Sequence, residues 1–208
     1  MTLSLHDVTI QYEDKTIIDN LSFQVDRGEL LCLKGHSGCG KTSVINAIMG
    51  FVPFAGKIAV KEKVLTDSTV DEIRRHIAYI PQELSLPQET VLEMVRLPFS
   101  LKANRHVSFS EKLLLSEWEM LNLEPELLQR GTNEISGGQR QRIMLSVAGL
   151  LGKELLLIDE PTSALDTNSV QLVLDYLLRL ASERGMAIVA ASHHHEISNG
   201  STKVIDFD

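Results

Sequence analysis

A glycine-rich loop between an apolar strand and a helix constrains the fold of this chain more than any other feature of its sequence. Residues 29–34 are mostly apolar and predict a short strand, and residues 41–49 predict a helix that Gly50 ends. The loop between them fits the pattern G-x-x-x-x-G-K-[ST]. Its residues are Gly35, His36, Ser37, Gly38, Cys39, Gly40, Lys41 and Thr42. A strand, such a loop and a helix in that order predict an α/β fold in which the edge of a parallel sheet holds the loop.

The composition of this loop predicts phosphate binding. Glycines let the backbone turn tightly and point its N–H groups at phosphate oxygens, and the following helix adds the positive end of its dipole. Lys41 is placed to reach between the β- and γ-phosphates of a nucleotide, and Thr42 to bind Mg²⁺ through its hydroxyl. The alternative is a glycine-rich turn that happens to precede Lys-Thr. Cys39 either fills space in the loop or makes nucleotide binding sensitive to oxidation.

Strands and helices alternate along the rest of the chain. Apolar and polar residues alternate over residues 3–12 and 21–25, as in half-buried strands. Buried strands are predicted at residues 155–158 and 187–191, with a helix over residues 170–181 between them. Further strands are predicted at residues 57–60 and 203–206. This order favours a mostly parallel sheet with crossover connections.

The middle of the chain has a different character. Apolar residues recur at helical spacing over residues 90–96 and 110–123, and Ser110 suits the N-cap of the second helix. We therefore expect residues 83–134 to form a solvated helical insertion with a small apolar face of its own.

The composition excludes several classes of function. Among 208 residues there are 20 Lys and Arg against 28 Asp and Glu, a net charge of −8, which argues against a nucleic-acid binder. No apolar run approaches the roughly 18 residues that a membrane span needs, and the N-terminus is acidic where a signal peptide would be basic. Cys32 and Cys39 form no disulfide framework and suit a reducing compartment. We expect a cytoplasmic protein that inserts in no lipid and reaches a membrane only through a partner.

Two carboxylates follow the buried strand at residues 155–158. A parallel strand delivers the residues after it to the carboxyl edge of the sheet, where ligands of α/β folds bind. Asp159 is therefore predicted to hold Mg²⁺, and Glu160 to accept a proton from an attacking water. The alternative is a strand end that merely meets solvent.

Taken with the loop, four further segments resemble the ATP-binding subunits of ABC transporters. Residues 135–139, Ile-Ser-Gly-Gly-Gln, are similar to the family's LSGGQ signature, with Ile for Leu. Residues 161–166, Pro-Thr-Ser-Ala-Leu-Asp, resemble its D-loop, and Gln82 stands where the family has the glutamine of its Q-loop. Tyr12 lies where the family places an aromatic residue under the adenine. The resemblance runs from residue 12 to His193.

The resemblance implies the ABC ATPase fold, a P-loop NTPase with a mostly parallel core sheet and an N-terminal antiparallel β subdomain. Residues 1–82 and 135–208 would form the ATPase core, and residues 83–134 the helical subdomain. It also implies two copies that dimerise head to tail on ATP, in which the signature of one copy closes over the γ-phosphate held by the other. Residues expected to contact nucleotide on this ground include Ser43, Ser136, Gly137, Gly138, Gln139 and Asp166. The free N–H groups at the start of the signature helix and the Ser136 hydroxyl suit an anion.

Three assignments depend on position in the family pattern. Gln82 is expected to sense Mg²⁺ and the attacking water, and Tyr12 either stacks on adenine or is the edge of the core. His193 is expected to contact the γ-phosphate, with His194 where the family commonly has Asp. The alternative for this segment is a metal site made by its three histidines and Glu196.

Residues 146–149, Ser-Val-Ala-Gly, depart from the family's Ala-Arg-Ala-Leu pattern, so an arginine contact on that helix is expected to be missing.

The resemblance implies a short, stand-alone ATPase subunit that works with an integral membrane permease, on the cytoplasmic face of the plasma (inner) membrane. An ATPase of DNA repair or chromosome structure is disfavoured because its inserted coiled coil is absent between Gln82 and Ser136. A non-catalytic nucleotide-binding module is disfavoured by Glu160 and His193.

Overall fold

Two sheets and seven α-helices form the fold in a computed structural model, which describes residues 1–13, 15–83, 89–162, 165 and 167–207. The first sheet is antiparallel, and its strand order is β2-β1-β4-β5. These strands are β1 (Leu3–Tyr12), β2 (Lys15–Val25), β4 (Ala55–Val60) and β5 (Lys63–Val64). The antiparallel sheet that the resemblance implied is confirmed, and β2 begins at Lys15, earlier than the alternation from Leu21 predicted.

The second sheet is parallel, with strand order β6-β7-β8-β3-β9. Its strands are β3 (Leu30–Lys34), β6 (Ile77–Ile80), β7 (Leu155–Asp159), β8 (Ala187–Ser192) and β9 (Lys203–Asp206). The strands predicted at residues 29–34, 155–158, 187–191 and 203–206 are confirmed within a residue at each end. All carboxyl ends of a parallel sheet lie at one edge, so the residues that follow β3, β6, β7 and β8 are brought together there.

Alternate residues of the parallel strands face two separate apolar layers. Leu155 and Leu157 belong to a layer shared with the antiparallel sheet and α1 (Lys41–Ile48). Leu156 and Ile158 belong to a layer on the opposite face, shared with α5 (Gly137–Leu150) and α6 (Thr167–Arg184). Because β7 is covered on both faces, it is apolar almost throughout, and its acidic residue comes only at its end.

The middle of the chain is helical, as its spacing predicted. It contains α3 (Val91–Ser100), α4 (Glu111–Met120) and the 3₁₀ helices Lys102–Asn104 and Pro125–Gln129. The Ser110 hydroxyl accepts a hydrogen bond from the Leu113 N–H at 3.4 Å, which confirms the predicted N-cap. The remaining helices are α2 (Val70–Arg74) and α7 (His195–Gly200). Within the described residues, every helix is too short or too polar to cross a lipid bilayer.

The apolar face predicted for this segment is buried against the core. Met94, Phe99 and Trp118 pack in the same continuous layer as Ile143 of α5 and Leu156 of β7. Two amphipathic helices this short bury too little surface by themselves, so their apolar sides join the layer that already covers the sheet.

Candidate functional site

The glycine-rich loop wraps around the end of β3, and its shape depends on glycine. Gly40 has a φ of +107°, a region that side chains rarely adopt. A Cβ built there would lie 2.7 Å from Ile18 Cδ1 and 2.9 Å from Ile17 Cγ2. The backbone of the loop is therefore held tightly against β2, with α1 beginning at the next residue.

Lys41 lies at the base of this loop, with 5% of its surface exposed. Its ammonium donates hydrogen bonds to the carbonyl oxygens of Gly35 at 2.7 Å and His36 at 3.0 Å. It also lies 3.5 Å from Glu160 Oε1. The loop thus surrounds a buried positive charge, which is what binding of phosphate oxygens requires.

Asp159 ends β7 beside the loop and is almost fully buried, with 2% exposure. The Thr42 hydroxyl donates a hydrogen bond to its carboxylate. Burial raises the pKa of Asp159, and the Thr42 bond opposes that rise. Its Oδ1 is buried without a hydrogen-bond partner among the described residues. Oxygen ligands of this kind, one of them unsatisfied, fit a Mg²⁺ ion.

Glu160 is held by its backbone in a strained conformation. It has a φ of +50°, which is uncommon for a residue with a side chain. Its N–H donates to the Ala191 carbonyl of β8 at 2.9 Å. Its own carbonyl accepts a hydrogen bond from Gln141 Nε2 at 2.7 Å. The conformation aims the carboxylate, which is 6% exposed as a residue, into the site beside Lys41.

His193 follows β8 and contacts the same carboxylate. Its Nδ1 lies 2.8 Å from Glu160 Oε2, and 47% of its side chain is exposed. The His194 ring packs on it with a centroid distance of 4.4 Å. The alternative of a metal site in this segment finds no support, because no group of three metal-ligating side chains converges among the described residues.

Most of the predicted residues line one cleft of about 310 Å³ at the carboxyl edge of the parallel sheet. The lining residues are Tyr12, Ile17, Ser37, Gly38, Gly40, Lys41, Thr42, Ser43, Gln82, Glu160 and His193. Asp159 lies behind Thr42, while Gly35, His36 and Cys39 complete the loop around the Lys41 ammonium. Tyr12 is 42% exposed at the rim, so it is more open to a ligand than a residue of the core edge would be.

The signature residues lie elsewhere. Ser136 is the N-cap of α5: its hydroxyl accepts from the Gln139 N–H at 3.1 Å, and Gln139 Oε1 accepts from the Ser136 N–H at 2.9 Å. Ser136 and Gly137 are exposed, and Gly138 is buried. None of the four predicted signature residues is among those that line the P-loop cleft. The predicted Asp166, with residues 163 and 164 of the same segment, lies outside the described residues.

One residue of this site was missed in the sequence. Gln141 is buried on the second turn of α5, and its amide is the side-chain donor to Glu160 described above. The contact joins residues 19 positions apart through the packing of α5 against β7. The available signal was its place on α5. Gln141 comes four residues after Gly137, and it therefore lies on the same face of the helix.

Residues 146–149 of α5, which depart from the family pattern, make contacts with α4 and α6. The Ser146 hydroxyl accepts a hydrogen bond from Trp118 Nε1 at 3.1 Å. The Gly149 carbonyl accepts one from Arg184 Nη1 of α6 at 2.8 Å, and Arg184 also pairs with the buried Glu117. Val147 stands at the arginine position of the family pattern, and an arginine of α6 contacts the same helix.

A phosphate-binding loop and a buried acidic pair along one edge of a parallel sheet are the elements that a nucleotide-hydrolysing P-loop domain requires, and this fold is of that class. A family profile described as "ABC transporter" matches residues 18–163. The chain is 31% identical over 189 residues to the ABC transporter ATP-binding protein YtrE of Bacillus subtilis, covering 88% of this chain and 81% of that protein. It is 30% identical over 200 residues to an Fe(3+) ions import ATP-binding protein, FbpC, of Haemophilus influenzae, covering 94% of this chain but only 56% of that protein.

A solved structure similar to this chain is a dimeric, post-hydrolysis state of the ATP-binding cassette MJ0796 bound to ADP and Pi. Its TM-score is 0.84 at 26% identity, over 98% of this chain and 93% of that one. The chain therefore belongs to the ABC transporter family and is an ATP-binding, ATP-hydrolysing domain of that family.

Proposed function

We propose that two copies of this chain bind ATP head to tail, so that each catalytic site is assembled from both. The observation that supports this most strongly is the separation of the two predicted phosphate sites. The signature turn at Ser136 and Gly137 is exposed, and it is not part of the P-loop cleft of its own chain. An exposed helix start with the positive end of its dipole has a use as an anion site only if a phosphate is brought to it. A second copy would bring that phosphate.

In this proposal the P-loop cleft binds the triphosphate. Lys41 contacts the β- and γ-phosphates, the loop N–H groups from Gly35 to Ser43 surround them, and Tyr12 stacks on the adenine. Thr42, Asp159 and Gln82 would hold Mg²⁺, which when bound offsets negative charge on the phosphates. From the facing copy, Ser136 to Gln139 and Asp166 complete the site.

Glu160 is proposed as the general base. A water attacks the γ-phosphorus, its proton passes to the Glu160 carboxylate, and the bond from the γ-phosphorus to the β,γ-bridging oxygen breaks, leaving ADP and phosphate. The strained backbone and the bonds to Ala191 and Gln141 fix where this carboxylate points. His193 touches the same carboxylate and is exposed enough to contact the γ-phosphate.

The membrane partner is proposed to be an integral permease, with this chain on the cytoplasmic face of the inner membrane. Its helix would dock between the Gln82 region and the helical insertion. Phe51, 54% exposed, has its ring 6.3 Å from that of Tyr79, three residues before Gln82. An exposed aromatic side chain beside this region suits the apolar face of a partner helix.

The test uses Glu160→Gln, which removes the base and should trap the ATP-bound dimer. We expect light scattering on a sizing column to give twice the 23.1 kDa chain mass with ATP and the single mass with ADP. The matched control is Glu160→Gln with Ser136→Arg, which places a bulky cation at the signature turn and should stay monomeric with ATP. A Glu160→Gln protein that remains monomeric at every ATP concentration contradicts the proposal.

A further inference from the structure

A second and larger cleft, of about 670 Å³, lies at the opposite edge of the parallel sheet. His76 and Glu154 immediately precede β6 and β7, so the cleft is at the amino ends of the strands whose carboxyl ends lead to Gln82 and Glu160. No residue that lines it also lines the P-loop cleft. Its lining consists of Asp71, Arg74, Arg75, His76, Lys102, Ala103, His106, Gly152, Lys153 and Glu154.

The charge of this lining is the reverse of that of the chain. Six of its side chains are basic or histidine and two are acidic. The whole chain has 20 Lys and Arg against 28 Asp and Glu. A local excess of cations in an acidic protein indicates a place where negative charge is to be received.

The two acidic residues are already paired. Glu154 Oε1 lies 2.6 Å from Lys61 Nζ, and Oε2 lies 3.1 Å from His76 Nδ1. Asp71 faces Arg74 at 3.7 Å, and Arg74 also donates to the Met49 carbonyl at 2.9 Å. These pairs leave the positive charges of Arg75, Lys102 and Lys153 without a carboxylate within 4 Å in the part of the chain that the structure describes.

Lys153 is the buried member of this group, with 6% exposure. Its ammonium donates to the Arg75 carbonyl at 2.7 Å and to the Ala103 carbonyl at 3.4 Å, so it lies between the core and the helical insertion. Burial lowers its pKa, and the nearby Glu154 charge raises it. A buried ammonium bonded only to carbonyls is stabilised by any anion that comes within reach.

Arg75 and Lys102 border the cleft from two different parts of the fold. Arg75 follows α2 in the core, and Lys102 begins the 3₁₀ helix of the insertion. Both are exposed, and neither side chain makes a hydrogen bond or an ion pair of 4 Å or less among the described residues. The Arg75 charge nevertheless lowers the pKa of the nearby Glu72. Their side chains are therefore available to turn onto a ligand without breaking an existing contact.

We propose that this cleft binds a small anion with two linked phosphoryl groups, with Lys153 beneath it and Arg75 and Lys102 on either side. An arginine fork and two ammonium groups match several phosphate oxygens, while a single carboxylate would leave charge unmatched. A volume of about 670 Å³ exceeds what one phosphate fills. Because the side chains that would bind the anion come from both the core and the helical insertion, the bound anion holds the insertion against the core.

The experiment measures binding of inorganic pyrophosphate by calorimetry to the full chain with Lys41→Ala, so that the P-loop contributes little. We expect Arg75→Ala with Lys102→Ala to weaken binding roughly tenfold or more. The matched control is Lys57→Ala with Lys112→Ala, two exposed lysines whose side chains also make no hydrogen bond or ion pair among the described residues, and it should change nothing. Equal affinity in the two double variants, or no detectable binding, overturns the proposal. Because the Lys41→Ala background neither hydrolyses ATP nor depends on dimerisation, this result is independent of the proposed function.

A second variant and a second probe complete the test. Lys153→Gln keeps a polar side chain, and it should weaken pyrophosphate binding while retaining the melting temperature within a few degrees. If it melts much lower, the Arg75 and Lys102 comparison decides the outcome alone. Sedimentation with phosphatidylcholine vesicles containing undecaprenyl diphosphate, a lipid with two linked phosphoryl groups, distinguishes a lipid source of the diphosphate from a soluble one. Retention that Arg75→Ala with Lys102→Ala abolishes assigns the site to a lipid headgroup, and pyrophosphate binding without retention assigns it to a soluble diphosphate.

Discussion

At the scale of single residues, the position of Glu160 is determined by contacts from three other parts of the chain. Its backbone N–H bonds to β8, its carbonyl to Gln141 of α5, and its carboxylate to His193. A φ of +50° is stable only when the surroundings enforce it. If Glu160 is the base, as proposed, Gln141 is a positioning residue, because it would act on that carboxylate through the backbone of Glu160.

We predict that Gln141→Met, which keeps the volume and removes the donor, lowers kcat for ATP hydrolysis by about tenfold with little change in KM. The Glu160 carbonyl would be left without its buried donor, which costs roughly 1–3 kcal/mol and frees the turn to shift. Steady-state ATPase assays over a range of ATP concentrations measure this split. The control is Gln171→Met, an exposed residue whose amide bonds to the exposed Asp175 at 2.8 Å. An unchanged kcat in a folded Gln141→Met protein would contradict the assigned role.

At the scale of elements, the helical insertion and the core form one apolar layer. Trp118 of α4 is fully buried, and its indole N–H bonds to Ser146 of α5. Leu114 beside it is also fully buried in the layer that contains Leu156 and Val173. Cooperative unfolding is expected of elements that share a packed core.

We therefore predict that the insertion and the core unfold in a single transition. Trp118 is the one tryptophan of the chain, so its fluorescence reports on the insertion and its contact with α5, while far-ultraviolet circular dichroism reports on all helices. In a urea titration the two signals should give the same midpoint. A fluorescence midpoint clearly below that of the dichroism would show an insertion that unfolds independently of the core.

Local signals in the sequence predicted the helices, strands and loops better than they predicted the contacts between them. Three features each depend on a few neighbouring residues, and all three are confirmed in the structure: the loop around Lys41, the buried strand before Asp159 and the N-cap at Ser110. The early start of β2 at Lys15 depends on pairing with β1, which no local pattern records. The Gln141 contact and the basic cleft around Lys153 join distant segments, so only the packed fold reveals them.

At the scale of the whole molecule, the two predicted phosphate sites of one chain are separate. The P-loop cleft contains Lys41 and Glu160, and the signature turn at Ser136 belongs to another surface. This separation is consistent with the dimeric state of the similar cassette MJ0796. In the proposed head-to-tail dimer, a substitution in the P-loop or in the signature of one chain should therefore impair only the site to which that residue contributes.

The most direct test of a catalytic site shared between two chains mixes two inactive proteins. One has Lys41→Ala and an intact signature, and the other has Ser136→Arg and an intact P-loop. In a mixed dimer, the P-loop of the second chain meets the signature of the first, so one intact site forms. We predict that the mixture hydrolyses ATP well above the sum of the two proteins measured separately, and that the gain depends on their concentration. A mixture no more active than that sum would contradict a catalytic site shared between two chains.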